Sequence, residues 1–250
     1  MTTEKRDLDV SDERGAAIGG ERDGLIGEIE TAVRYPAESD DVVKTVLIGG
    51  LLTIFGFLLV PLFVLAGYFV RVLDRTADGD EVPPTFDDLG ELTVTGVKAA
   101  VIGLVYGFVP LLVGGVGVLV GIAGIGAGDG EGIVAGLGVL GVLVGGMVWF
   151  ALALLVAYLL PAALANFART RSVGAGFDVG TLKPIWTSRA YALAWGTALV
   201  VFLIGSVVAG VLNVVPVLGT IAGAFVGFYF AVAGYSVIGR SWNGFPVDGR

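Results

Sequence analysis

The sequence predicts an all-α fold, a polytopic bundle of transmembrane helices. Three observations carry that prediction. Hydrophobic residues make up 55% of the 250-residue chain and charged residues only 15%, where soluble domains average about a quarter charged. Four stretches, 45–70, 99–128, 132–168 and 190–239, contain no Asp, Glu, Lys or Arg. They are 26, 30, 37 and 50 residues long, each enough for the ~20 apolar residues a spanning helix requires.

Residues 1–44 are a different material, with 12 acids and 6 bases. Residues 1–22 have few apolar side chains and no periodicity, which predicts disorder. No secretory signal pattern is expected, because no apolar run follows the early charges. Across 24–35, Leu25, Ile26, Ile29 and Val33 share one helical face opposite Glu28, Glu30 and Arg34, and Pro36 ends the run. This is a short amphipathic helix. It serves either as an interfacial anchor or as a helix packed on the rest of the chain.

The transmembrane domain is expected over 45–240, with a C-terminal tail at 241–250. The first span is placed at about 45–70, as one helix through Gly56 and Pro61. The alternative is a pair of shorter helices, giving six helices with a re-entrant hairpin at 42–70. The second and third spans, about 99–126 and 136–165, form a tight hairpin through Gly128-Asp129-Gly130-Glu131-Gly132. The last stretch would be about 75 Å long as one helix, more than twice a bilayer core of about 30 Å. It is therefore two spans, about 190–212 and 215–239, broken at Asn213-Val214-Val215-Pro216. Five spans result.

Lys and Arg concentrate in segments 71–98 and 169–189 and in the C-terminal tail, which places all three in the cytoplasm of a multi-pass cell-membrane protein. Five spans would put the acidic tail outside, and a hairpin at 42–70 would return it inside. The tail's side stays open. Trp186, Tyr191, Trp195 and Trp242 are expected as an interfacial belt.

The two cytoplasmic segments resemble each other. Phe86-Asp87-Asp88-Leu89-Gly90-Glu91-Leu92 precedes the second span, and Phe177-Asp178-Val179-Gly180-Thr181-Leu182 precedes the fourth. Leu59-Val60-Pro61 and Leu159-Leu160-Pro161 lie in the spans before them. This suggests a parallel internal repeat.

Arg34-Tyr35-Pro36, Asp40-Asp41, Gly67-Tyr68-Phe69-Val70-Arg71, Pro83-Pro84-Thr85-Phe86-Asp87-Asp88, 160–167 and Pro216-Val217-Leu218-Gly219 resemble an uncharacterised family of archaeal multi-pass membrane proteins, a domain of unknown function. The resemblance covers roughly 33–240. It implies a membrane fold but no reaction, substrate or catalytic residue. Net charge of −8, Arg in excess of Lys, and no Cys fit a salt-loving archaeal source, where high salt screens like charges.

With no His and no Cys, thiol chemistry, His bases and thiolate metal sites are excluded. No catalytic, cofactor-binding or metal residue is expected, no cofactor, and no nucleic-acid partner. Asp87, Asp88, Glu91 and Asp178 form an interfacial acidic motif. They read either as a cation or headgroup site or, preferably, as helix caps. Gly219, Gly223 and Gly227, with Gly103/Gly107, Gly117/Gly121, Gly132/Gly136 and Gly141/Gly145, have the i, i+4 spacing that lets membrane helices approach closely. They serve packing within the chain, or a homo-oligomer through the last span. The charge-free spans disfavour proton-coupled transport.

The expected role is therefore non-enzymatic: structural, assembly or lipid-organising, with the lipid bilayer as partner and no small-molecule ligand assigned. The alternative is a small permease or channel subunit, and a lipid-modifying enzyme ranks third.

Overall fold

The structure, a computed structural model, describes residues 24–39, 41–128 and 131–243. The disorder expected for 1–22 and most of the C-terminal tail fall outside the described residues. The fold is all-α. Among the described residues the helices are α1 (24–34), α2 (Val42–Ile54), α3 (Leu59–Ala77), α4 (Leu89–Ala127), α5 (Gly132–Thr170), α6 (Val179–Trp186), α7 (Arg189–Leu212) and α8 (Leu218–Arg240). Two 3-10 turns, Tyr35–Glu38 and Val173–Phe177, complete the set. Four of these, α4, α5, α7 and α8, are long and apolar enough to cross a membrane.

The expected single span at 45–70 is replaced by two helices. Pro61 has no N–H to donate to the carbonyl of Phe57, and its ring crowds that carbonyl, which weakens a helix at this point. The chain leaves α2 after Ile54, turns through Phe55–Leu58, and restarts with Leu58 extended (ψ 136°). Pro61 then occupies the first turn of α3, where a missing N–H costs nothing. Five expected spans thus become four long apolar helices and a helical pair. At 13 residues, α2 is only about 20 Å long. The last two turns of α3 carry Arg71, Asp74 and Arg75, so it too is not apolar along its whole length.

The charged segments are also shorter than the charge pattern predicts. Asp88 starts α4 ten residues before the charge-free stretch begins, and Lys98 lies inside the helix. The turn between α7 and α8 falls where the Asn213–Pro216 break places it. There Asn213 donates to Ala209 O at 2.9 Å and accepts from Thr220 at 3.0 Å.

The chain forms two compact units. One holds the described residues up to Leu62, Arg71–Asp87 and those from Arg189 to 243; the other holds Phe63–Val70 and Asp88–Ser188.

In the first unit, α8 is the reference axis. Gly49 and Gly50 of α2 lie directly on the rings of Phe228 and Phe225, and no side chain fits at either glycine. With Tyr35, just before α2, beside Arg240 and Gly49 beside Phe228, ascending α2 means descending α8. At the far end of the pair, Gly239 leaves no room for a Cβ against Thr76 Oγ1 and Leu73 O. The α2/α3 pair is thus a hairpin that begins and ends beside the C-terminal end of α8. Its tip is apolar and bare, with Phe57 77% exposed. Tyr35 precedes α2 at this same end, with the Arg240 guanidinium 5.3 Å from its ring centre.

In the second unit, α4 and α5 form the expected tight hairpin. Their seam uses heptad spacing rather than strict i, i+4 pairs. Gly114, Gly117, Gly121, Gly124 and Gly128 on α4 meet Ala135, Gly138, Val142, Gly145 and Trp149 on α5. Alternating steps of three and four keep one face on the partner, the geometry of a left-handed pair. A Cβ on Gly121 would lie 2.6 Å from Val142 N and 2.9 Å from Gly138 O. Gly107 and Gly136, expected to pack, have nothing within 4 Å of an added Cβ, and Gly132 instead takes a positive φ of 77° at the helix start.

The two segments of the expected repeat share a local motif. Asp88-Leu89-Gly90-Glu91-Leu92 and Asp178-Val179-Gly180-Thr181-Leu182 each open a helix with Asp capping and Leu buried. The first opens the 39-residue α4 and the second the eight-residue α6, which the sequence pattern does not foresee. Pro61 begins α3, whereas Pro161 lies inside α5.

Candidate functional site

The expected acidic motif is resolved into separate local tasks. Asp88 sits in the left-handed region (φ 55°) and accepts from Glu91 N at 3.0 Å. Asp tolerates that conformation better than most residues. Glu91 pairs with Arg171 at 3.6 Å across an exposed surface, a geometry worth at most about 1 kcal/mol. Asp178 accepts from Gly180 N at 3.0 Å and from Thr181 Oγ1 at 2.7 Å. The Thr181 hydroxyl, foremost, holds the Asp178 carboxyl below its usual range. Asp87 accepts the Thr85 hydroxyl, and its backbone carbonyl accepts from Arg71 at 3.0 Å. Of the four acids, Asp88 and Asp178 cap helix N-termini.

The glycines of α8 divide. Gly219 abuts Leu212 O, and a Cβ added at Gly223 would lie 3.6 Å from the Ala209 methyl, so both face the α7/α8 turn. Gly227 has open space beside it.

A groove with polar lining lies elsewhere, at the α8 C-terminal end of the first unit. There α1 lies along α7 and α8. The helix packs by its second half: Ala32 is fully buried and Ile29 and Val33 are half-buried, while Leu25 and Ile26 are exposed. A small side chain at 32 permits close approach. Two polar bonds then fix the orientation. Thr197, buried on α7, donates to Glu28 Oε2 at 3.1 Å. Tyr229 of α8 donates at 2.6 Å to Val33 O, one of the carbonyls a helix end leaves without a partner. One face of α1 is packed and another is exposed.

Between α1, α7 and α8 lies a groove of about 640 Å³. Glu28 and Thr31 line one side, Arg240 and Ser241 another, and Leu193 and Val237 supply apolar wall. Arg240 is held from behind by the Tyr35 ring and by Ser236 Oγ at 3.5 Å. Burial raises the Tyr35 hydroxyl pKa well above its ordinary value, so it stays neutral against the guanidinium. Sequence reasoning misses this groove. Its only sequence signal is that Glu28 and Arg240 are charges bordering apolar runs.

A second cavity, about 310 Å³, lies in the second unit between α4 and α5 and is almost wholly apolar. Tyr106 stacks on Phe177 there (5.7 Å, 16°) and donates to Gly176 O at 2.9 Å. Below it, Trp186 donates to Leu159 O at 3.2 Å and Tyr158 to Trp186 O at 2.6 Å, tying α6 to the Pro161 turn of α5. Asn166, buried in α5, donates to Ala175 O at 2.9 Å and so holds the 3-10 turn. Trp186 is thus a structural strut. Among the described residues no group of three or more acidic side chains is placed to hold a metal ion.

No curated protein matches the chain, and no solved structure does. A family model does match, over residues 51–214, and the chain belongs to that family, the proteins of unknown function called DUF4013.

Proposed function

We propose that the chain is a multi-pass cell-membrane protein that organises lipid in one leaflet, and that it is not an enzyme. The observation that carries this reading is the α2/α3 hairpin. Its first arm, about 20 Å long, falls short of a core of about 30 Å. Both its ends lie at the Arg240 end of α8, and its bare tip carries Phe55, Phe57 and Leu58. Such an element displaces lipid from one leaflet only. The exposed Leu25 and Ile26 of α1 add an amphipathic contact at the same end.

The positive-inside rule makes that end cytoplasmic, together with 71–98 and 169–189, and four crossings return the N-terminal helix to the same side. The acidic, Lys-poor composition supports a salt-adapted archaeal source. The open face at Gly227 leaves room for a homo-oligomer. The use of Asp88 and Asp178 as caps counts against the lipid-modifying reading.

Leaflet-selective spin-labelled lipids in proteoliposomes test the proposal. Ordering confined to the leaflet that holds the hairpin is expected, and equal effects in both leaflets would contradict it. The runner-up, a permease or channel subunit, draws on Pro110 and Pro161 inside α4 and α5, since each proline leaves a helix carbonyl without its usual donor. Solute-selective flux in the same vesicles would favour it.

A further inference from the structure

We infer that the groove between α1, α7 and α8 binds the zwitterionic headgroup of a phospholipid. This rests on the lipid-organising reading and names the site it uses. The groove's volume of about 640 Å³ falls in the range of small-molecule sites, roughly 300–1,000 Å³. Its walls hold one fixed negative and one fixed positive charge. Glu28 is anchored by the buried Thr197 hydroxyl, and Arg240 by Tyr35 and Ser236. Among the described residues no ion pair joins Glu28 to Arg240, although both face one cavity.

Two opposite charges that are held apart and not paired match a ligand carrying both signs. The Arg240 guanidinium has five N–H donors in a planar fork suited to phosphate, and Ser241 adds a hydroxyl beside it. Glu28 faces the ammonium, with Thr31 next to it. A purely anionic head would meet Glu28, and a purely cationic one would meet Arg240. Leu193, Ala194 and Val237 continue the groove as apolar wall, which suits the first carbons of acyl chains. The groove lies on the first turns of α7 and the last turn of α8, two helices apolar enough to cross a membrane, so a lipid head reaches it at its own depth.

The test uses the full chain, delipidated in detergent and examined by native mass spectrometry. The probes are phosphatidylethanolamine, phosphatidylglycerol and free phosphoethanolamine. Ethanolamine lipid should be retained over glycerol lipid by about tenfold, one strong polar contact's worth. Arg240→Gln and Glu28→Gln should each abolish that preference. Gly27→Leu supplies a variant that keeps the fold, because nothing lies within 4 Å of a Cβ at Gly27, and its side chain would fill the groove. Equal retention of both lipids, or retention indifferent to all three substitutions, would overturn the inference. So would free phosphoethanolamine binding as tightly as the lipid, which would mark a soluble ligand instead. Leaflet ordering by the hairpin should persist in Gly27→Leu, so an empty groove and a failed lipid-organising role give different results.

Discussion

The Arg240 guanidinium lies 5.3 Å from the centre of the Tyr35 ring. One residue precedes the α2/α3 hairpin and the other ends the last helix, so the contact joins the hairpin's start to the end of the membrane domain. With Leu73 and Thr76 against Gly239 at the hairpin's finish, it brings both ends of this segment to the same end of α8.

The bond from Thr197 to Glu28 should hold α1 in place. Thr197→Val removes the donor while keeping the volume, and a hydrogen bond to a charged group contributes about 1.5–3 kcal/mol. Amide exchange across 24–34 should rise sharply while exchange in α7 stays unchanged. Equal protection in both proteins would show that Ala32 and Tyr229 suffice.

The α4/α5 seam predicts opposite outcomes for two glycines. Gly121→Leu forces side-chain atoms into Val142 and Gly138, and overpacking of this kind costs about 1–3 kcal/mol. Gly107→Ala meets open space and should be neutral or stabilising by up to about 1 kcal/mol, since Ala is the better helix former. Thermal unfolding in detergent of the two variants beside the parent measures both.

Asp178 supplies a pH dependence. Its carboxyl is held below its usual range, chiefly by the Thr181 hydroxyl. A depressed folded pKa means the cap's stabilisation is fully present above the unfolded value and lost as pH falls through the folded one. Exchange protection of α6 should therefore persist at neutral pH and fall only below about 3.8. Thr181→Ala should shrink that loss, because less of the shift remains. A loss of unchanged size would show that the backbone N–H groups of Gly180 and Thr181 set the shift.

Parts of this fold are legible in the sequence, and the reasons differ by element. The limits of α7 and α8 follow from Arg189, Arg240 and the Asn213–Pro216 break, because charge and proline end apolar helices directly. The start of α4 does not follow from charge, since Lys98 is accommodated and the Asp88 cap decides the boundary. The break at Pro61 is visible as a proline, but whether it kinks one helix or separates two depends on α2 finding Phe225 and Phe228 on α8. The groove is less legible still. The packing of α1 is set by Ala32, Thr197 and Tyr229 acting together, and hydrophobic periodicity alone groups the exposed Leu25 and Ile26 with the half-buried Ile29 and Val33.

The central claim is that the α2/α3 hairpin returns to the side it came from. The chain has no cysteine, so single cysteines at Glu38, Phe57 and Gly79 report each point of the hairpin. In sealed vesicles probed with an impermeant maleimide, Glu38→Cys and Gly79→Cys should react from the same side, and Phe57→Cys from neither. Reaction of Glu38→Cys and Gly79→Cys from opposite sides would make the segment a fifth crossing and contradict the account.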